Sequence, residues 1–299
     1  MASAYLVHFV HEAANWQGAT GARSIEPRKL AERSLSLEGL GERLVIRAIV
    51  SKVFQHMANS KTESGDRDWL VLPHDPIQEL SENLWRVEGA LPRFSLRRVM
   101  SVVRLQDGRL LIHSAIAMDE VSMAKLEAWG EPAILLIPHR RHRMDAPRYK
   151  QRYPALRVFA PPAVLEQANA VVNVDGTFDE APLDSSASLE LLDGTSEAEA
   201  ALIVRSHDGV SLVLTEVVFD LPPPSSALLR AAIKLTGFGP GPVVTPVVKL
   251  ELVKNKGKLA AHLERLAAIP ELTRLIVGHS RMSVGSAAAD ALRQAAASL

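Results

Sequence analysis

The chain has 299 residues, 47% of them hydrophobic, enough for one large core or two small ones. Its 34 Lys and Arg balance 34 Asp and Glu, so whole-chain charge gives no argument for nucleic acid or an anionic membrane. The absence of cysteine excludes disulfides, thiol nucleophiles and cysteine-ligated zinc, so a transition-metal site must draw on His, Asp, Glu and water.

The start, "MASAYLVHFVHEAANW", lacks a positive leader and is not read as a signal peptide. No apolar run reaches the ~18 residues of a transmembrane helix, and a reducing cytoplasm is the expected setting. Residues 1–66 mix Gly, Ser and charge. They are expected to be a loosely structured extension, with one helix near 41–56 (Leu44, Ile46, Ile49, Val50 and Val53 on one face) and a linker "NSKTESGDRD". Translation starting at Met57 is an open alternative. Residues 67–299 are expected to form the folded domain.

From Asp68 onward the punctuation is regular. "WLVLP" and "NLWRVEG" read as strands, and "VMSVVRLQDGRLLIHS" as a hairpin turning at Asp107-Gly108. Asp119 caps a helix that runs to about Trp129, with Gly130 at its end. "AILLIP" is a buried strand, "APRYKQRY" a short helix, "LRVFAPP" a strand, and helix follows within 162–170. Residues 158–204 hold nine acidic residues and no Lys or Arg, and read mostly as loop or exposed strand. "AALIVRSHDGVSLVLTEVVFD" gives a second hairpin turning at Asp208-Gly209, and the Pro/Gly-rich 221–247 reads as irregular. "KLAAHLERLAA" has helical spacing, "TRLIV" is a last buried strand and "SAAADALRQAAASL" a closing helix.

"VVRLQDGRLLIHS" (102–114) and "IVRSHDGVSLVLT" (203–215) overlay without a gap. Either all Asp-Gly hairpins look alike, or the molecule has two similar halves, each with a hairpin, further strands and outer helices.

The order of elements resembles the metallo-β-lactamase superfamily. Four stretches carry the resemblance: "SVVRLQDGRLLIHSAIAMDE", "AILLIPHRRHRMD", "VSLVLTEVVFD" and "RLIVGHSRMSVGSAAADALRQA". Within it the sequence is most similar to the domain of unknown function 4336 family. The resemblance covers roughly 68–299 and implies an αβ/βα sandwich of two mixed sheets flanked by helices. It also implies metal ligands converging from loops at one end. In the superfamily's His-x-His-x-Asp-His loop this chain has His139-x-x-His142-x-x-Asp145, with Arg143 where a neighbouring histidine often stands. Glu216 takes the place of the bridging aspartate and His279 that of the final histidine. The middle histidine has no clear counterpart; the nearest candidates are Glu197, Glu199 and His207.

A full dinuclear set is therefore absent. His142, Glu216 and His279 form a candidate mononuclear set for zinc or another divalent ion, with His139 and Asp145 as supplements; the alternative is no metal at all. Arg140, Arg141, Arg143 and His113 are candidates to meet a small anionic substrate. Plainer readings stand beside these. Asp145 before Ala-Pro is expected to cap the next helix. His113 is a candidate core histidine, His207 an exposed turn residue, His262 a structural one, and the basic run a solvated face or a partner for acidic 175–199. Nucleic acid is not expected, since interleaved aromatics are few. Ser114 and Ser280 lie in no nucleophile motif, and no Walker or Rossmann fingerprint appears. Two functions follow: a metal-dependent hydrolase, or a non-catalytic binding or interaction protein that keeps the fold without the metal centre.

Overall fold

Apolar residues alternate along the strands, and the two faces they create sort into separate cores. The computed structural model describes residues 68–92, 94–221, 241–279 and 281–299. All of these fall in the unit spanning Thr62–Pro223 and Pro240–Leu299. The helix expected near 41–56, nearly all of the linker, residues 222–240 of the irregular stretch and Ser280 lie outside the described residues.

The first sheet has seven strands in sequential order: β1 (Gln78–Ser81), β2 (Leu84–Leu91), β3 (Phe94–Arg104), β4 (Arg109–His113), β5 (Glu131–Leu136), β6 (Arg157–Ala160) and β7 (Gly176–Thr177). Helices α1 (Glu120–Trp129), α2 (Ala146–Arg152) and α3 (Leu165–Asn169) lie between its later strands. The second sheet contains β8 (Ala187–Leu191), β9 (Ala200–Ser206), β10 (Gly209–Leu214), β13 (Leu272–Val277) and β14 (Met282–Val284), in the order β14-β13-β10-β9-β8. A small ribbon pairs β11 (Phe219–Leu221) with β12 (Gly241–Val243). Helices α4 (Pro246–Glu251), α5 (Lys256–Ala267) and α6 (Ser286–Ala297) complete the chain.

Three cores define four layers. Leu111, Ile134, Leu136 and Phe159 of the first sheet meet Leu202, Val204, Val213 and Ile276 of the second between the sheets. Leu110 and Ile112 turn the other way, onto Met123, Leu126 and Tyr149 of α1 and α2. Leu212, Leu214 and Leu275 turn outward onto Leu259, Leu263 and Leu292 of α5 and α6. The period of two along each strand produces this αβ/βα sandwich, because both faces of both sheets are covered.

The two hairpins occupy equivalent places. β3 and β4 pair antiparallel and β4 continues parallel to β5; β9 and β10 pair antiparallel and β10 continues parallel to β13. The ungapped overlay holds on the first strand of each hairpin, where Val103 and Val204 both face the other sheet. It slips on the second: Leu111 faces inward but Leu212 outward. The cause is the turn. Val103 pairs with Leu111, whereas Val204 pairs with Ser211, so the second hairpin is one residue shorter. One residue in a strand exchanges its faces.

Three further expectations need correction. "WLVLP" has no regular strand; its Trp69 indole donates to the Met118 carbonyl at 2.8 Å, while Leu70 and Val71 stay exposed. Strand β12 lies inside the stretch read as irregular and α4 begins at its end, at Pro246, and β14 lies between the last buried strand and the closing helix. Asp119 does cap α1, accepting from Ser122 N–H at 2.8 Å.

Candidate metal centre

β4 and β5 run parallel, as do β10 and β13. The segments leaving their C-terminal ends bring His113-Ser114, the loop 139–145, Thr215-Glu216 and Gly278-His279 to one end of the sandwich. β3 ties in the last of these: Val99 N–H donates to the Gly278 carbonyl at 3.0 Å. Only glycine fits at 278, because a Cβ there would lie 2.4 Å from the Thr215 carbonyl oxygen. A buried carboxylate sets the neighbouring turn. Glu199 accepts from the amides of Thr215, Glu216 and Val217 at 2.7 to 3.1 Å, which fixes the direction of Glu216.

His142, Glu216 and His279 each offer a ligand atom within 4.8 Å of the others. His142 Nε2 is 3.0 Å from Glu216 Oε1, and His279 Nε2 is 3.4 Å from the same oxygen. Each imidazole is held from behind. His142 Nδ1 meets Ser114 Oγ at 2.7 Å, and His279 Nδ1 donates to the Arg97 carbonyl at 2.8 Å. Phe219 stacks on His279 with ring centroids 5.2 Å apart. Ser114 has φ of +60°, an uncommon conformation for a residue with a side chain, and it carries the hydroxyl that meets His142.

These bonds decide the protons. The Arg97 carbonyl can only accept, so His279 Nδ1 carries hydrogen. Its Nε2 then faces a carboxylate oxygen and needs a cation: a proton or a metal. Burial opposes protonation of His279, but the Glu216 hydrogen bond and charge outweigh it and raise the imidazole's pKa. Burial dominates at His142 and lowers its pKa against the pull of Glu216. Burial also opposes ionisation of Glu216, yet the imidazoles of His139, His142 and His279 hold it well below the usual carboxylate range. Without metal these shifts favour an imidazolium at His279, a carboxylate at Glu216 and a neutral imidazole at His142.

The other predicted residues separate. His139 is buried, with Nδ1 3.7 Å from Glu216 Oε1 and its Nε2 without a hydrogen-bond partner. Burial drives its pKa down to about 3. His113 is also buried, its Nε2 likewise without a partner and its pKa pushed down to about 3 by burial. Arg141 bridges Glu216 Oε2 at 3.3 Å and Glu251 Oε2 at 2.5 Å, and Arg140 joins it on Glu251 at 2.8 Å. Arg143 points elsewhere and donates to the Gln167 carbonyl. Asp145 stands at the N-cap position of α2 but makes no side-chain cap bond. Its carboxylate pairs instead with Arg98 at 2.6 Å and Arg148 at 2.8 Å, and accepts from Ala117 N–H at 3.0 Å. Arg98 is buried, and a buried guanidinium binds a carboxylate more strongly than a helix start does.

Comparison with solved structures fits this arrangement of layers. The metallo-β-lactamase from Erythrobacter litoralis superposes with a TM-score of 0.52 at 11% identity, over 75% of this chain and 96% of that one. The fold is that of the metallo-β-lactamases. FIM-1 from Pseudomonas aeruginosa, in its mono-zinc form, superposes with a TM-score of 0.50 at 11% identity, over 77% of this chain and 98% of that one. The enzyme from Pontibacter korlensis does so with a TM-score of 0.50 at 11% identity, over 75% and 99%. No protein-family model matches the sequence, and no curated protein matches it.

Within this metallo-β-lactamase fold, several working residues left little trace in the sequence. Arg97 acts through its carbonyl, which every residue has. Glu251 lies between the stretch read as irregular and the helix read in "KLAAHLERLAA", where no element was expected. Ser114 was visible only as a serine beside a histidine, and Glu199 only as a weak stand-in for a missing ligand.

Proposed function

We propose that this protein is a mononuclear metal-dependent hydrolase acting on a small anionic substrate. The observation that carries this is the convergence of two back-held imidazole Nε2 atoms on one buried oxygen of Glu216. Two histidines and a glutamate are a donor set suited to catalytic zinc, and hydrogen bonds to the far ring nitrogens are the usual support for such ligands. His142, Glu216 and His279 would hold the ion, with buried His139 beside them. Such an ion supplies Lewis acidity and a nucleophile at neutral pH.

The chain's own residues do the rest. Ser114 accommodates either tautomer of His142, since a hydroxyl both donates and accepts. The Arg97 carbonyl keeps His279 turned inward. Phe219 covers one face of His279 and limits water there. Arg140 and Arg141 present guanidinium forks to an anionic group at the rim. FIM-1, a protein of the same fold, has a structure in a mono-zinc form, which supports reading a single ion here. The similarity to the domain of unknown function 4336 family rests on the quoted motifs and belongs to this proposal.

Arg141 favours a second reading. Its ion pair with Glu216 already neutralises the carboxylate, as in a binding protein that has given up its metal. Zinc titration of the full chain separates the two. Stoichiometric binding lost in His142→Ala, His279→Ala supports the hydrolase; weak binding equal in both proteins supports the binding protein.

A further inference from the structure

The rim of this site holds a carboxylate in a position suited to an incoming ligand. Arg140 Nη2 and Arg141 Nη2 donate to the same oxygen of Glu251, at 2.8 and 2.5 Å. Arg141 also reaches Glu216 Oε2 with Nη1 at 3.3 Å, so only one guanidinium separates this pair from the His142–Glu216–His279 cluster. The two carboxylates on Arg141 differ. The Glu216 side chain is 4% exposed and fixed among imidazoles, whereas that of Glu251 is 23% exposed. Among the described residues, Arg140 and Arg141 are the only side-chain donors to Glu251. Glu251 is the last residue of α4, a six-residue helix.

Partly exposed ion pairs are held weakly and exchange with other anions. Two guanidinium forks suit a planar carboxylate, which accepts two parallel N–H bonds. Charge narrows the class further. A monocarboxylate replaces Glu251 one for one, while a phosphate dianion adds negative charge beside ionised Glu216. We propose that Arg140 and Arg141 form a subsite for the carboxylate of a small ligand, and that Glu251 is its internal stand-in, displaced when the ligand arrives. The proposal rests on the hydrolase reading only in placing the rest of that ligand over the metal cluster.

The test is an NMR titration of the full chain with acetate, read on the arginine side-chain N–H resonances, with zinc present and after chelation. Removing the internal competitor in Glu251→Gln is expected to tighten acetate binding about tenfold, because the open state no longer competes with a closed one. Adding Arg140→Gln should abolish that gain, and inorganic phosphate should gain less than acetate. Glu251→Asp, which keeps the charge but shortens its reach, should fall between wild type and Glu251→Gln; it serves if the latter does not fold. Equal acetate affinity in wild type and Glu251→Gln would overturn the proposal. So would a gain that survives Arg140→Gln, or a larger gain for phosphate. If the acetate order holds while zinc binds nowhere, the metal reading falls and the subsite stands. If zinc binds the cluster and acetate shows no gain, the subsite alone falls.

Discussion

His142, Glu216 and His279 lie beyond the C-terminal end of β10, and Glu82, His207 and Asp208 lie around its start. Both groups place imidazole and carboxylate ligand atoms within 4.8 Å of one another, two histidines with one carboxylate in the first and one histidine with two carboxylates in the second. Their surroundings differ. At the far end all three residues are exposed, His207 N–H donates to Glu82 at 2.8 Å, and Asp208 is bound by Arg274 and by Ser81 Oγ at 2.9 Å. Water and arginine satisfy those carboxylates. At the near end Glu216 is buried, and one of its oxygens faces two ring nitrogens whose partners on the other side are fixed. Proximity of donor types is common to both; burial and orientation, which leave a position that only a cation satisfies, belong to one.

The sharpest way to break this contrast is to remove ligands at each end. His142→Ala with His279→Ala is expected to weaken zinc binding by a factor on the order of 100 or more, while His207→Ala changes it less than about twofold. Calorimetric titration reads both, and an equal loss at the two ends would erase the distinction. The support beneath Glu216 comes next. Glu199→Gln turns an amide N–H₂ toward backbone donors that need an acceptor, and is expected to cost about 2 kcal/mol in urea unfolding. An unchanged midpoint would mean that the turn at 215–217 does not depend on this carboxylate.

Ser114→Ala should weaken zinc binding by about tenfold without removing it, because the hydroxyl orients His142 and does not ligate. A loss as large as that of the double histidine variant would instead make Ser114 a ligand. Zinc binding should also release about one proton, the one on His279 Nε2, below the raised pKa of that imidazole. Titrations in buffers of different ionisation enthalpy measure it, and zero release would contradict the imidazolium assigned to the metal-free cluster.

The smallest effect belongs to the far end. Partial desolvation raises the pKa of Glu82, but the Ser81 hydroxyl and His207 N–H bring it down to about 2 from an ordinary 4.5. A depressed carboxylate stabilises the fold above the unfolded-state pKa and loses that contribution as pH falls through the folded value. Wild type should therefore lose stability between pH 4.5 and 2 relative to Glu82→Gln, by under about 1 kcal/mol because the pair is solvent-screened. Acid titration of unfolding midpoints for the two proteins checks it.

Much of the strand order was legible because burial on both faces leaves short, strongly apolar runs, as in "AILLIP" and "TRLIV". The hairpins were legible from Asp-Gly turns, although the one-residue difference between them appeared only in their pairing. His142, Glu216 and His279, which the structure brings together, were named by order along the chain rather than by spacing, since no local rule links residues 142, 216 and 279. Asp145 shows where local reading fails. Asp-Ala-Pro is a good capping sequence, yet Arg98 arrives from β3 and takes the carboxylate.

The sequence by itself determined the periodicities, the turns and the chemical types available: histidines and carboxylates, no thiols. Those are properties of neighbouring residues and of composition. Tertiary structure alone decided which polar groups lost water. Imidazoles packed around Glu216 kept it ionised against its own burial, burial left His139 neutral, and Arg98 took Asp145, while solvent left Glu82, His207 and Asp208 satisfied. Desolvation depends on what packs from distant parts of the chain, so its effects cannot be written in any short stretch of it.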